Sequence, residues 1–230
     1  RFYINEKEKH EFQSSYDKIF LFNDDSLLIQ KEYLFLLEPK SGKFSKINSP
    51  EGKPGSWIIS NAKTIWFIDK QNQVFIAEDW RKNKFKKLGT SPIPFSESSY
   101  YYYSPADSIV YISSYDDRKL LYELDAKTFT IKNKLLAPAA INQVLLTNKK
   151  TLLVSTTNGL LSKENKATPK FTQANLTQNG LPPGSILTSF VDKDENLWVG
   201  TAGNGFSVTN KYFNYHQLIN FPIANDRVYG

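Results

Sequence analysis

The sequence predicts an all-β fold, a β-propeller built from four-stranded antiparallel blades, and three observations predict it. Leu28, Trp66, Val110, Leu153 and Trp198 each mark a short β-prone strand, at spacings of 38, 44, 43 and 45 residues. A second set of landmarks keeps step: Phe44, Phe85, Phe129, Phe171 and Phe213 follow their markers by 16, 19, 19, 18 and 15 residues. Turn clusters such as Asn179-Gly180 and Pro182-Pro183-Gly184 punctuate the strands between them. A period of about 40–45 residues holding four short strands is that of a propeller blade.

Taken in order, residues 1–13 (Phe2 to Gln13 reading as a hairpin) form a partial unit, with Phe12 at the second landmark. The first full unit spans 16–48, with inner strand Ile19 to Phe22 and a turn at Pro39-Lys40-Ser41-Gly42-Lys43. The second, 56–89, opens on Ser56-Trp57-Ile58-Ile59 after a loop of Glu51 to Gly55. The third, 98–136, opens on four tyrosines, Tyr100 to Tyr103, which alternate between the two faces of a strand. Such rings serve as a stacking platform for a ligand or as packing between blades, and the packing reading is preferred. The fourth unit, 141–176, has inner strand Asn142 to Leu146 and a turn at Thr157-Asn158-Gly159. The fifth spans 184–218, and 219–230 resembles the start of a further blade. Unpaired sheet edges are disfavoured, so either further chain or joining of the two ends is expected.

The chain has 230 residues, 40% hydrophobic and 14% aromatic, ample for a core. No apolar run is long enough for a transmembrane helix. It begins Arg1-Phe2-Tyr3 without an initiator Met, as expected of a processed chain or an excised fragment. It also lacks Cys, which excludes disulfides and thiolate metal sites. The net charge of +6 comes from dispersed lysines. Lys82, Lys84, Lys86 and Lys87 along an outer strand read as a solvated edge that resists pairing, rather than a polyanion site. No Arg-rich, aromatic-interleaved patch points to nucleic acid.

Residues 179–205 carry the sharpest signal. Asn179-Gly180-Leu181-Pro182, Ile186, Asp192, Asn196-Leu197-Trp198-Val199-Gly200-Thr201 and Gly205 resemble the two-component regulator propeller repeat. The resemblance covers 179–217 well and 142–175 fairly; the first three units lack the Gly-Thr after the marker. It implies the periplasmic sensor region of a hybrid two-component system of gut bacteria. Its partners would be an oligosaccharide ligand, further propeller blades, a connector domain and histidine kinase outside this segment, and a second copy in a homodimer.

The residues alone support little catalysis. No nucleophile elbow, Walker loop or zinc-protease helix occurs, and no catalytic residue, metal or cofactor is expected. His10 and His216 are a conceivable ligand pair but read as surface histidines. Asp192-x-Asp194-x-Asn196 echoes a calcium loop but lacks its Gly and its bidentate Glu, so turn capping is the better reading. Adjacent carboxylates at Asp24-Asp25 and Asp116-Asp117 do not by themselves straddle a sugar. A sugar needs flat apolar faces and fixed polar partners. On the face formed by the loops after strand two and strand four, Tyr115, Asp116, Asp117, Arg118, Asn158 and Asn204 supply them, with Trp57 at the mouth of its inner strand. A protein-binding scaffold and a polysaccharide-degrading enzyme are the alternatives.

Overall fold

In the computed structural model the described residues are 18–23, 26–30, 33–52, 55–59, 64–79, 82, 84–94, 100–114, 116–147, 150–163, 171–173, 184–209 and 216–219. They form five four-stranded antiparallel sheets, each from four consecutive strands. The first holds β1 (Lys18–Asn23), β2 (Ser26–Gln30), β3 (Leu34–Glu38) and β4 (Lys43–Ile47). The second holds β5 (Gly55–Ile59), β6 (Ile65–Asp69), β7 (Gln73–Ala77) and β8 (Lys86–Thr90). The third holds β9 (Tyr100–Ser104), β10 (Ile109–Ser113), β11 (Leu120–Asp125) and β12 (Ile131–Leu136). The fourth holds β13 (Ile141–Leu146), β14 (Leu152–Thr156), β15 (Gly159–Lys163) and β16 (Thr172–Gln173). The fifth holds β17 (Ile186–Val191), β18 (Leu197–Thr201), β19 (Phe206–Thr209) and β20 (His216–Ile219). The chain is all-β and of the propeller class. The partial units expected at 1–13 and 219–230, with Phe12 and His10, and the landmark Phe213 lie outside the described residues, except Ile219, which ends β20.

The chain divides into two compact units, Arg1–Glu97 with Lys127–Thr130, and Ser98–Ala126 with Ile131–Gly230. In the first unit, Leu28, Leu34 and Ile47 of sheet one pack against Trp57, Ile65, Phe67, Phe75 and Ala77 of sheet two. Within sheet two, Gly55 lets β5 lie close beside β6: a Cβ there would strike the Ile68 carbonyl and the Phe67 ring. Lys82, Lys84, Lys86 and Lys87 are exposed at the outer side of sheet two, in keeping with a solvated edge.

In the second unit, the inner strands β9, β13 and β17 are neighbours. The side of sheet three bearing Tyr102, Ile109, Tyr111 and Leu121 packs on Val144, Leu152, Val154 and Leu161 of sheet four. Burial raises the pKa of Tyr111 first, and the nearby carboxylates of Glu123 and Asp107 raise it further. The opposite side of sheet four, Leu145, Leu153 and Leu160, packs on Ile186, Leu197 and Val199 of sheet five. Polar bonds fasten the same joints. Ser155 Oγ donates to Ser189 Oγ at 2.9 Å, and Gln143 Oε1 accepts from Thr188 Oγ1 and the Ser189 N–H. Lys163 and Glu123, both nearly buried, form an ion pair at 3.5 Å between sheets four and three.

The markers Val110 and Leu153 fall on opposite faces of their strands. Leu153 faces the sheet that follows, but in sheet three the residue that does so is Tyr111, not Val110. The tight turns explain it: Lys150 and Glu195 adopt positive φ three residues before Leu153 and Trp198, and Ser108 does so three before Tyr111. Because side chains alternate, a slip of one residue exchanges the two faces of the strand.

Candidate functional site

The second unit presents three equivalent loops at one end of its sheets. Tyr100 pairs with Ser113, Ile141 with Thr156, and Ile186 with Thr201. Each inner strand therefore begins where its second strand ends, and the loop to the third strand leaves from that point. These loops contain Asp116 to Lys119, Thr157 with Asn158, and Ala202 to Gly205.

A buried hydroxyl closes each loop. Thr156 Oγ1 donates to the Gly159 carbonyl at 2.8 Å and accepts the Asn158 N–H at 3.1 Å. Thr201 does the same for Gly205 and Asn204, at 2.8 and 3.1 Å. In sheet three Ser114 Oγ accepts the Asp116 N–H at 3.4 Å. These serve as small turn caps.

Arg118 ties the three sheets together at this end. Its Nη2 donates to Asn142 Oδ1 at 2.7 Å, and its carbonyl accepts the Ile141 N–H at 2.7 Å. Asn142 Nδ2 then donates to the Ile186 carbonyl at 2.7 Å and reaches Ser185 Oγ at 3.4 Å. The β13–β14 register shifts between Ile141 and Gln143, so Asn142 is the bulged residue. A bulge re-aims a side chain. Here it lets Asn142 and Gln143, adjacent in sequence, both engage sheet five.

Of the expected site residues, Asp116, Asp117, Asn158 and Asn204 are exposed and Arg118 is half-buried, all at this one end of the second unit. Tyr115 lies outside the described residues. Trp57 is corrected: it is 1% exposed, with Phe67 and Phe85 rings at 4.7 and 6.0 Å, and offers a ligand no ring surface. It belongs to the core because its neighbours across β6 and beside β8 are themselves aromatic.

Sequence reasoning missed Asn142 and Ser185, since a bulge leaves no residue pattern. Tyr100 was legible but assigned to packing. It is 38% exposed and begins β9 at the end where the three loops emerge. An exposed phenol ring, amides, carboxylates and a guanidinium at one end of three sheets suit a polyhydroxylated ligand.

Asp192, by contrast, is fully engaged in its own turn. Oδ1 accepts the Asp194 and Asn196 N–H groups, and Oδ2 accepts Asn196 Nδ2 and the Trp198 indole at 2.8 and 2.9 Å. Among the described residues no group of three or more His, Cys, Asp or Glu is placed to hold a metal.

Residues 180–203 match the family model described as two component regulator propeller. The chain is similar in fold to the extracellular domain of a putative hybrid two component system from B. thetaiotaomicron, with a TM-score of 0.64 and 20% identity. That likeness covers 96% of this chain and 31% of the other. It is also similar to the extracellular domain of a putative one component system from the same organism: TM-score 0.56, 22% identity, 81% of this chain and 26% of that one. The chain thus spans about a third or less of the length of these structures. Virginiamycin B lyase from Staphylococcus aureus shares the fold too, with a TM-score of 0.61 at 14% identity, over 92% of this chain and 71% of the lyase. No curated protein matches the chain. No helix among the described residues is long and apolar enough to cross a membrane.

Proposed function

We propose that this chain is the extracytoplasmic, ligand-sensing propeller of a hybrid two-component receptor. Its ligand is an oligosaccharide held at the loop end of sheets three to five, and it has no catalytic role of its own. The observation that carries this reading is the family match at residues 180–203, which reaches into the last of the three loops. Tyr100, Asp116, Asp117, Arg118, Asn158 and Asn204 are the residues we assign to the ligand. Binding at this periplasmic segment passes through further blades and a connector of the same polypeptide, across the membrane, to a histidine kinase, with two copies working as a pair.

The test is thermal melting of the intact protein against a panel of neutral and acidic oligosaccharides. A ligand at 100 times its Kd adds about 2.7 kcal/mol to a two-state fold, a clear rise in Tm. One sugar class shifting the melt and returning intact is the expected outcome. A sugar returned cleaved would make the protein an enzyme, like the lyase of similar fold. No shift with any sugar would favour a protein-binding scaffold.

A further inference from the structure

We infer that the ligand of this face carries an oxyanion, a carboxylate or a sulfate, and that Arg118 receives it. The inference rests on the glycan-binding reading above and narrows it to acidic sugars.

Among the described residues Arg118 is a cation without a countercharge. Among the described residues its guanidinium donates one hydrogen bond, to a neutral amide, Asn142 Oδ1. Its Nε is enclosed, with no hydrogen-bond acceptor. The carboxylates of Asp116 and Asp117 adjoin it in sequence, yet neither is within ion-pair distance, and Asp117 Oδ1 instead accepts the Lys119 N–H at 3.3 Å. A partly desolvated guanidinium whose charge faces only a neutral amide is costly unless an anion offsets it at its Nη groups. The loop thus turns its arginine away from acids close at hand and fixes it by the Asn142 bond, which holds the fork still.

A guanidinium so fixed recognises planar or tetrahedral oxyanions through two parallel N–H bonds, which an ammonium does not reproduce. Asp116 and Asp117 stand in water, where their repulsion of an anion is screened, and their oxygens accept sugar hydroxyls. Tyr100, exposed at the start of β9, supplies a ring for the apolar face of a pyranose. An acidic oligosaccharide satisfies all of these groups together; a neutral one leaves Arg118 as it is.

The experiment is calorimetric titration of the intact protein with a galacturonate trisaccharide, the same trisaccharide with its carboxyls reduced to hydroxymethyls, and an O-sulfated galactose trisaccharide. Inorganic sulfate, against chloride at equal ionic strength, is a fourth probe read by Tm. The variants are Arg118→Lys and Arg118→Gln. Arg118→Lys keeps the charge and a donor for Asn142 and is expected to retain the native Tm. The wild type should bind one acidic trisaccharide at least 10-fold tighter than the reduced one. Both variants should lose that preference, roughly 10- to 100-fold, as for charge-assisted hydrogen bonds. Which acidic arm binds tells carboxylate from sulfate. The inference is overturned if the reduced sugar binds as well as the acidic ones, or if Arg118→Lys binds the acid as tightly as wild type. It is overturned as well if all four probes fail. Should sulfate alone bind, and only with Arg118 present, the oxyanion site stands and the glycan-binding reading falls.

Discussion

At Asp192 a single carboxylate accepts four hydrogen bonds from its own turn and the strand that follows, and these hold it in its ionised form. The bond from the Trp198 indole is the largest influence on its acidity, followed among favourable ones by those from Asn196 and Asp194; together they lower the pKa from 3.8 to about 2. A folded-state pKa below the unfolded one means stability that is present above the ordinary carboxylate range and lost as pH falls through about 2. Trp198→Phe removes the indole donor, so the Asp192 carboxyl should titrate at a higher pH, read by NMR of its side-chain carbon. A titration unmoved by the substitution would show that the indole bond does not set the acidity. The acidic turn thus serves the marker aromatic of its own blade, which is the physical content of the Asp-x-x-x-Asn-Leu-Trp pattern.

At the scale of the element, each sheet is stabilised through its faces, and the charged joint between sheets three and four shows how. Lys163 and Glu123 lie 3.5 Å apart with side chains 3% and 12% exposed. Removing one charge strands the other, whereas replacing both removes the desolvation cost as well. Lys163→Met should therefore cost about 3–5 kcal/mol in denaturant unfolding, and Lys163→Met with Glu123→Leu should recover most of it. A double variant no better than the single one would assign the loss to packing instead. Such joints also mark the limit of what the sequence discloses. The blade period, the inner strands and the three loop positions were legible, because turns and alternating apolar residues repeat at a fixed distance. The pairing of Lys163 with a carboxylate 40 positions away in sequence was not, nor was the Asn142 bulge, since neither has a local signature. The slip from Val110 to Tyr111 arose because both are apolar and only the positive φ of Ser108 fixes which faces the next sheet. Trp57 misled for a related reason: an aromatic near a strand start reads alike whether its ring faces core or ligand.

At the scale of the molecule, the sheets of the second unit stack by a rule that sheet five leaves incomplete. In sheet four the face bearing Leu145 and Leu153 is covered by sheet five, leaving them 8% and 5% exposed. Their counterparts one period later are Phe190 and Trp198, paired across β17 and β18. There Phe190 is 62% exposed, and with Thr188, Trp198, Gly200 and Phe206 it lines an open apolar groove of about 240 Å³. A neighbouring aromatic pair, Trp198 with Phe206 at 5.8 Å between ring centres, continues the same surface. A face of this composition matches one made to be covered, and the reading of further blades in the same polypeptide names the cover. Phe190→Ala separates the cases, since its cost depends on burial. With a blade on it in the intact protein, the substitution should cost about 3–5 kcal/mol, as large aromatic truncations in a core do. Left in solvent, the same change should stay within about 0.5 kcal/mol. Leu153→Ala, buried in the equivalent place, gives the scale, at about 2–5 kcal/mol. Denaturant unfolding of the three proteins side by side decides it: a Phe190 variant that unfolds with the wild type would mean that the stacking ends at sheet five.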